Sequence, residues 1–365
     1  MTTRIKFSGG SGTAFFREVR AQVQTYFQWT GTSPYADHRL WTKAALFAGI
    51  GALSYAALLT LPLPPAALLA LAVIFGLSGL LLGINVAHDA AHDALTPHPR
   101  LNRAVQAAIF CLIGVDGRLW RLRHTKSHHV FPNVNGCDAD IDHNGLIRLS
   151  PNHPRRWFHG LQHLYAPLLY LLVNLHSIFV QDFVYLAKDR LANMVGLRPT
   201  RSELLRFLAC KTVYFTLTLG LPLLLIDLPW WQIVVGYLIV TAVTSLAFVV
   251  LLIGTHFAEE TSFPEVGPDG RLTGDWAAHA VVTALDWSPG SRLAAFLTGG
   301  ANTHVAHHLF PKVSHVHYRE LAPIIRATAR KHGLVIRETS FLGMLRSHLR
   351  FLRRLGRAQP ADAPA

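Results

Sequence analysis

Cysteine is almost missing from this chain. The three present, Cys111, Cys137 and Cys210, lie far apart and form no Cys-x-x-Cys pair. A disulfide framework and a zinc ribbon are thereby excluded, and a reducing compartment is expected. Cys137 reads as an inert thiol. Charge is scarce as well: 15% of residues are charged against 51% hydrophobic, which departs from the soluble average and points to a membrane. Acids are the scarcer sign, 21 against 34 Lys and Arg, an excess that could serve nucleic acid, anionic lipid or an acidic partner. The stretch through Phe15-Phe16-Arg17-Glu18 lacks the apolar core of a signal peptide, so the first hydrophobic helix is expected to direct insertion itself. No internal repeat is present.

What the chain does contain is uncharged runs of membrane length. A basic N-terminal segment, residues 1–43, leads into a first span at about 44–60; Leu61-Pro62-Leu63-Pro64-Pro65 turns the chain, and a second span follows at 66–86. A third is expected at 204–226, with Lys211 near its start and able to snorkel, and a fourth at 232–254 after the turn Asp227-Leu228-Pro229-Trp230-Trp231. Both turns lack Lys and Arg, whereas the N-terminal segment, residues 87–203 and everything after Gly254 are rich in them. By the positive-inside rule those three regions and both termini are cytoplasmic, and the basic residues track topology rather than nucleic acid. Ala104 to Val115 is too short to span, and Leu164 to Ala187 carries Asn174, His176, Gln181 and Asp182. Both read as interfacial or re-entrant helices. The expected fold is therefore an all-α integral membrane protein, with four transmembrane helices and a cytoplasmic helical cap, over residues 44–335. Residues 336–365 follow as a basic amphipathic segment, with Arg346, Arg350, Arg353, Arg354 and Arg357 set to lie on anionic lipid, and a disordered tail from Gln359 to Ala365.

Eight of the 21 histidines fall in three clusters on the cytoplasmic side. His88 and His92 stand four apart, His124, His128 and His129 form a triplet, and His304, His307 and His308 form another. Offsets of three and four share a helix face, so each cluster can converge on a point. Eight imidazoles exceed the shell of one ion and suit two, with His256, where the fourth span ends, as a ninth donor. Two adjacent metals in a dry site can bind oxygen and oxidise an inert C–H bond, which excludes redox-silent zinc and favours iron. Asp89, Asp93, Glu259 and Glu260 are candidate acceptors for the outer N–H groups of these rings, and Asn302 could orient a ligand or a metal-bound water. The alternatives are solvated acids, and helix capping by Asn302 or Thr303. His98, His143, His153, His159, His163, His279, His315 and His317 lack paired spacing and read as surface or headgroup-facing residues. Asp138-Ala139-Asp140-Ile141-Asp142 has no calcium-loop spacing and reads as loop-shaping. A His-rich metal-binding or transport protein is the rival of another class. It predicts ionisable residues along a path, and the spans hold only Lys211.

The order His-x3-His, His-x3-His-His, His-x2-His-His, with two spans before the first box and two between the second and third, resembles the integral-membrane fatty acid desaturases. Asn85-Val86-Ala87-His88-Asp89-Ala90-Ala91-His92, Trp120-Arg121-Leu122-Arg123-His124, Thr255-His256-Phe257-Ala258-Glu259-Glu260 and His308-Leu309-Phe310-Pro311-Lys312 are similar to a bacterial linoleoyl-CoA desaturase-like branch. The resemblance implies that the eight box histidines and His256 ligate a di-iron centre. It also implies that O2 and two electrons from an external ferredoxin- or cytochrome b5-type donor desaturate an acyl-CoA, acyl-carrier-protein or acyl-lipid chain, at a bacterial inner membrane. Arg148, Arg155 and Arg156 are candidate headgroup contacts. Two departures stand out. Front-end members usually have Gln where this chain has His304, which leaves bond position open, with hydroxylation or acetylene formation as alternative outcomes. The His-Pro-Gly-Gly haem motif of fused cytochrome b5 domains is absent, so a separate donor protein is expected.

Overall fold

The computed structural model describes residues 5–9, 13–141 and 145–357. An amphipathic helix, α1 (Ala14–Thr30), precedes the first long apolar helix, α2 (His38–Thr60), whose first turn is capped by Asp37 accepting from the Arg39 amide at 2.8 Å. After the proline turn comes α3 (Pro65–Ala91). Next are α4 (Pro99–Leu112) and α5 (Gly117–Arg121), the latter continuing as a π-helical stretch, Leu122–His128. Three further apolar helices are α6 (Trp157–Ala187), α7 (Arg201–Leu225) and α8 (Trp230–Thr255). The last part of the chain carries α9 (Trp276–Val282), α10 (Arg292–Thr298), α11 (His304–Leu309), α12 (Tyr318–Lys331) and α13 (Phe341–Gly356). Strands are short pairs. Lys6–Phe7 runs parallel to Arg271–Leu272, and Leu285–Trp287 runs parallel to Arg337–Thr339, with Asp286 opposite Glu338.

Among the described residues, α2, α3, α6, α7 and α8 are long and apolar enough to cross a membrane. Helix is the form such runs take because it satisfies every backbone N–H and C=O internally. Small residues bring the helices close. A Cβ on Gly76 of α3 would lie 2.6 Å from Val240 Cγ1 of α8, and one on Gly51 of α2 would lie 3.2 Å from Ser78 Cβ of α3. Helix α7 opens with a reciprocal cap, Thr200 N–H to Glu203 Oε2 at 2.8 Å and Glu203 N–H to Thr200 Oγ1 at 3.3 Å.

Several expectations change here. Helix α2 begins at His38, so Lys43 lies within it, buried against His315 at 3.0 Å, rather than ahead of the span. Helix α6 begins at Trp157 and has the length of a span, although Pro167 and alternating 3-10, α and π turns interrupt it. Lys211 does not snorkel: its Nζ donates to Asp182 Oδ2, Gly114 O and Ile178 O, each at 2.8 Å, inside the protein. Much of the apolar face of α13 packs on protein, with Met344, Phe351, Leu352 and Leu355 buried, while Leu342, Leu349 and the arginines are exposed. The expected tail from Gln359, together with Asp142 and His143, lies outside the described residues.

Candidate metal centre

The three clusters meet. One ring nitrogen from each of His88, His92, His124 and His307 lies within 4.8 Å of the others, and a second group is formed the same way by His128, His256, His304 and His308. His129 reaches both, grouped with His307 and His308. All nine expected histidines therefore converge, His256 included.

The local chain explains each approach. His88 and His92 follow a π-helical turn, Gly83–Ala87, at the end of α3 and share a face by their four-residue offset. The second triplet sits on the π stretch Leu122–His128, where a wider turn brings residues four and five apart together. His124 and His129 Nε2 are accordingly 3.1 Å apart. His304, His307 and His308 lie on α11, whose Val305 amide donates to Asp286 Oδ1 at 2.9 Å. Capping by Asn302 or Thr303 is thus corrected: Thr303 makes no side-chain cap bond, and buried Asn302 exchanges bonds with Thr298 and Ser288 instead. His256 follows a single 3-10 turn at the end of α8.

Hydrogen bonding turns the rings inward. His256 Nδ1 donates to Thr283 O at 2.9 Å and His304 Nδ1 to Ala301 O at 3.1 Å, which leaves each Nε2 a bare lone pair. Burial pushes His256 well below the ordinary imidazole range and His304 down to about 3, so both rings are neutral at pH 7. Yet their two Nε2 atoms are 2.7 Å apart, and His308 Nε2 is 2.9 Å from that of His256. Lone pairs at that distance with no proton between them repel, unless a cation lies among them. Burial likewise lowers His92, His124, His129, His307 and His308. The ring nitrogens His92 Nε2, His129 Nδ1, His307 Nδ1 and His308 Nδ1 are buried with no hydrogen-bond partner. Neutral imidazoles with inward lone pairs are the donor set that a first-row transition metal takes, and the residues present fit two such ions.

The carboxylate that holds a box imidazole is Asp138, with Oδ2 3.1 Å from His128 Nδ1 and Asp140 at 3.6 Å. His128 is raised: burial pulls it down, but the charges of Asp138 and Asp140 outweigh that. The acidic run is therefore more than loop-shaping. Its one local signal is Asn133-Val134-Asn135-Gly136, where positive φ at Asn133 (60°) and Gly136 (73°) folds the chain back on His128. Trp120, which opens the motif leading into the second box, packs on it as well. Its ring stacks on His124 at 4.4 Å.

The other named residues fall elsewhere. Asp89 accepts from Ser314 Oγ at 2.7 Å and lies 3.0 Å from His315 Nδ1; Asp93 binds Arg121 at 2.6 Å. Glu259 is exposed, and Glu260 accepts from Ser347 of α13. Arg148 is buried, its guanidinium donating to the carbonyls of Pro151, His153 and Leu355, and Arg155 Nε donates to Gly356 O. Arg156 stays exposed. His153, His159, His279, His315 and His317 are buried rather than on the surface, while His98 is exposed.

A cavity of about 1770 Å³ opens onto the centre, lined at one end by His88, His124, His128, His256, His304 and His307, with Trp120 beside them. It follows α3 back to Pro65 and reaches Leu228 and Trp231 at the opposite ends of the helices, a length of roughly 35 Å at 1.5 Å per residue.

The sequence profile of the fatty acid desaturase family matches residues 62–340. An acyl-lipid (8-3)-desaturase of Physcomitrium patens is 26% identical over 355 residues, covering 96% of this chain and 74% of its own. An sn-1 linoleoyl-lipid 6-desaturase of Arthrospira platensis is 25% identical over 357 residues, 97% and 96% of the two chains, and the protein of that name from Synechocystis is 26% identical over 361 residues, 97% and 98%. With these matches running the length of a chain whose helices deliver nine imidazoles to one end of an apolar cavity, the chain belongs to the fatty acid desaturase family and is an oxidoreductase that acts on fatty acyl chains.

Proposed function

We propose that this chain is an acyl-lipid desaturase with a di-iron centre. His88, His92, His124 and His307 would hold one ion, and His128, His256, His304 and His308 the other, with His129 between them. The observation that carries this is the 2.7 Å approach of the Nε2 atoms of His256 and His304, both bare because each Nδ1 donates to a carbonyl. When bound, iron there supplies the power to oxidise an unactivated C–H bond with O2, two electrons and two protons, so that two hydrogens leave adjacent acyl carbons and two waters form. The protein's own part is geometric. Asp138, Thr283 O and Ala301 O fix ring orientations, and the apolar cavity holds the chain extended and dry beneath them.

The relatives named for lipid-linked substrates favour an acyl-lipid over an acyl-CoA or acyl carrier protein, with exposed Arg156 beside Arg155 as headgroup contacts. The full-length matches to two 6-desaturases give no support to a metal-transport reading, and nothing in the site favours hydroxylation.

Four crossings with a cytoplasmic cap remain our reading, supported by parity. The second box precedes α6 and the third follows α8, yet they meet, so an even number of complete crossings separates them. Helices α7 and α8 supply two, and α6 then dips in and returns to its own side. Absence of Lys and Arg from both short turns supports the cytoplasmic side for the boxes. The bacterial inner membrane and the separate ferredoxin- or cytochrome b5-type donor are part of the same proposal and rest on the family membership alone.

The test is expression in a host of known lipid composition, with iron analysis of the purified protein. A new double bond and about two irons per chain are expected. Zinc alone, or an acyl product that has gained oxygen rather than lost two hydrogens, would sink the reading.

A further inference from the structure

His129 reaches both metal groups. Its Nε2 lies 2.9 Å from that of His307 and 3.1 Å from that of His124, and its ring stacks on His308 at 4.3 Å. Its backbone carbonyl accepts the indole N–H of Trp276 at 3.1 Å. Trp276 is half-buried and is the first residue of α9, whose start is fixed by Asp275 Oδ1 accepting from the amides of Ala277 and Ala278 at 2.9 and 3.1 Å. On its outer side Trp276 meets Phe16 of α1 edge-on, with ring centroids 5.4 Å apart.

Phe16 in turn lines a shallow apolar groove of about 270 Å³ between α1 and the segment that follows the third box, with Arg20, Phe27, Phe310 and Val313. Arg20 lines this groove and is exposed; Arg17, three residues earlier on α1, and Lys312, between Phe310 and Val313 in the chain, are exposed as well. The acid of the same helix, Glu18, is neutralised by Lys331 at 2.7 Å and His332 at 2.8 Å. The face therefore combines aromatic rings with positive charge, and through Phe16 it adjoins Trp276 and the hydrogen-bonded path to the centre; the neighbouring acid, Asp275, is engaged by Thr13 and the first amides of α9.

We propose that Trp276 is the residue through which electrons reach the centre, and that the groove over it docks an acidic one-electron carrier protein. This rests on the di-iron reading above. At each docking the carrier is oxidised by one electron and the metal site reduced by one; two dockings serve each double bond, and no covalent bond forms or breaks. Electrons pass through covalent and hydrogen bonds far more readily than across van der Waals gaps, so the indole N–H to carbonyl contact matters beyond packing. Charge complementarity, with Arg17, Arg20 and Lys312 at the rim, selects an acidic partner and raises its encounter rate.

The experiment uses iron-loaded full-length protein in lipid nanodiscs, reduced anaerobically either by a plant-type [2Fe–2S] ferredoxin or by dithionite. The readout is the ratio of the ferredoxin-driven to the dithionite-driven rate. In Trp276→Leu that ratio is expected to fall by roughly an order of magnitude, with Trp276→Phe, which keeps a ring and loses the N–H, in between. Arg20→Glu with Lys312→Glu is expected to raise the half-saturating ferredoxin concentration about tenfold and to flatten its salt dependence. An unchanged ratio in both tryptophan variants, or a fall of both rates together, overturns the proposal. Wild-type protein that binds no iron fails the di-iron reading itself, an outcome the metal analysis separates from an unchanged ratio.

Discussion

Replacing Lys211 with Met should destabilise this protein far more than loss of a membrane-interface lysine would. Its Nζ makes three bonds of 2.8 Å, to Asp182 Oδ2, Gly114 O and Ile178 O. Asp182 Oδ2 also accepts the Asp116 amide at 3.0 Å, and Asp116 Oδ1 accepts from the Leu119 amide at 2.7 Å, at the start of the helix that carries Trp120, His124 and His128. The pair thus ties α6 and α7 to the segment that launches the second box. Lys211→Met leaves Asp182 charged among apolar groups with one amide to solvate it, a loss of about 3–5 kcal/mol for a broken buried pair. At roughly 2 cal/mol/K of unfolding entropy per residue, a chain of this size would lose about 4–7 °C in apparent Tm. The double variant Lys211→Met with Asp182→Asn removes both charges while keeping a side chain that can accept from Asp116 and donate to one carbonyl, so it should recover at least half of the loss. Thermal unfolding in nanodiscs, followed by fluorescence-detected size exclusion, measures both. A snorkelling lysine would cost under about 1 kcal/mol, so a single variant within 1 °C of wild type, or a double no better than the single, would refute the reasoning.

Three further outcomes follow from the site and its supports. Asp138→Asn should weaken iron binding about 10–100-fold in a metal titration, with helical content unchanged, because the amide no longer fixes the His128 proton on Nδ1. Gly299→Ala should lower Tm and iron occupancy together, since Gly299 sits at φ 57° and a Cβ there would lie 2.6 Å from Ile84 O at the turn that precedes the first box. Burial pushes His348 and His279 down to about 4, below the ordinary value of 6.5. Because the folded values are depressed, the unfolded chain binds more protons between those limits. The stability tied to each ring is fully present above pH 6.5 and is lost as pH falls to 4, about 3 kcal/mol apiece. His348→Gln, which can keep partners at Phe257 O and Tyr170, should flatten Tm against pH over that window; an unchanged slope would count against it.

The histidine clusters could be read from spacing because their offsets hold on any tight helical turn. His304, His307 and His308 do lie on an α-helix, whereas the second triplet lies on a π stretch that no residue in Leu122–His128 announces. Convergence survives there only because offsets of four and five also share a face when the turn widens. What spacing cannot carry is a partner supplied by a distant return of the chain. Asp286 reaches α11 from a short strand and Thr283 O reaches His256 from the end of α9, and neither has a local marker. Lys211 and Asp182 illustrate the same limit from the other side. A lone lysine in an apolar run looks like a snorkelling residue, and an aspartate in the run from 164 to 187 looks like a reason for that helix to stay at the interface. They are two halves of one ion pair, 29 residues apart in sequence. With its charge matched inside the protein, Asp182 no longer argues against insertion, so our proposal of four crossings rests on the convergence of the boxes rather than on the polarity of α6. That makes topology testable without reference to charge. A label placed on exposed Trp157, at the start of α6, and one on exposed Lys188, just past its end, should report the same side of the membrane, as the 2.9 Å approach of His129 and His307 leads us to expect; labels on opposite sides would overturn the four-crossing reading.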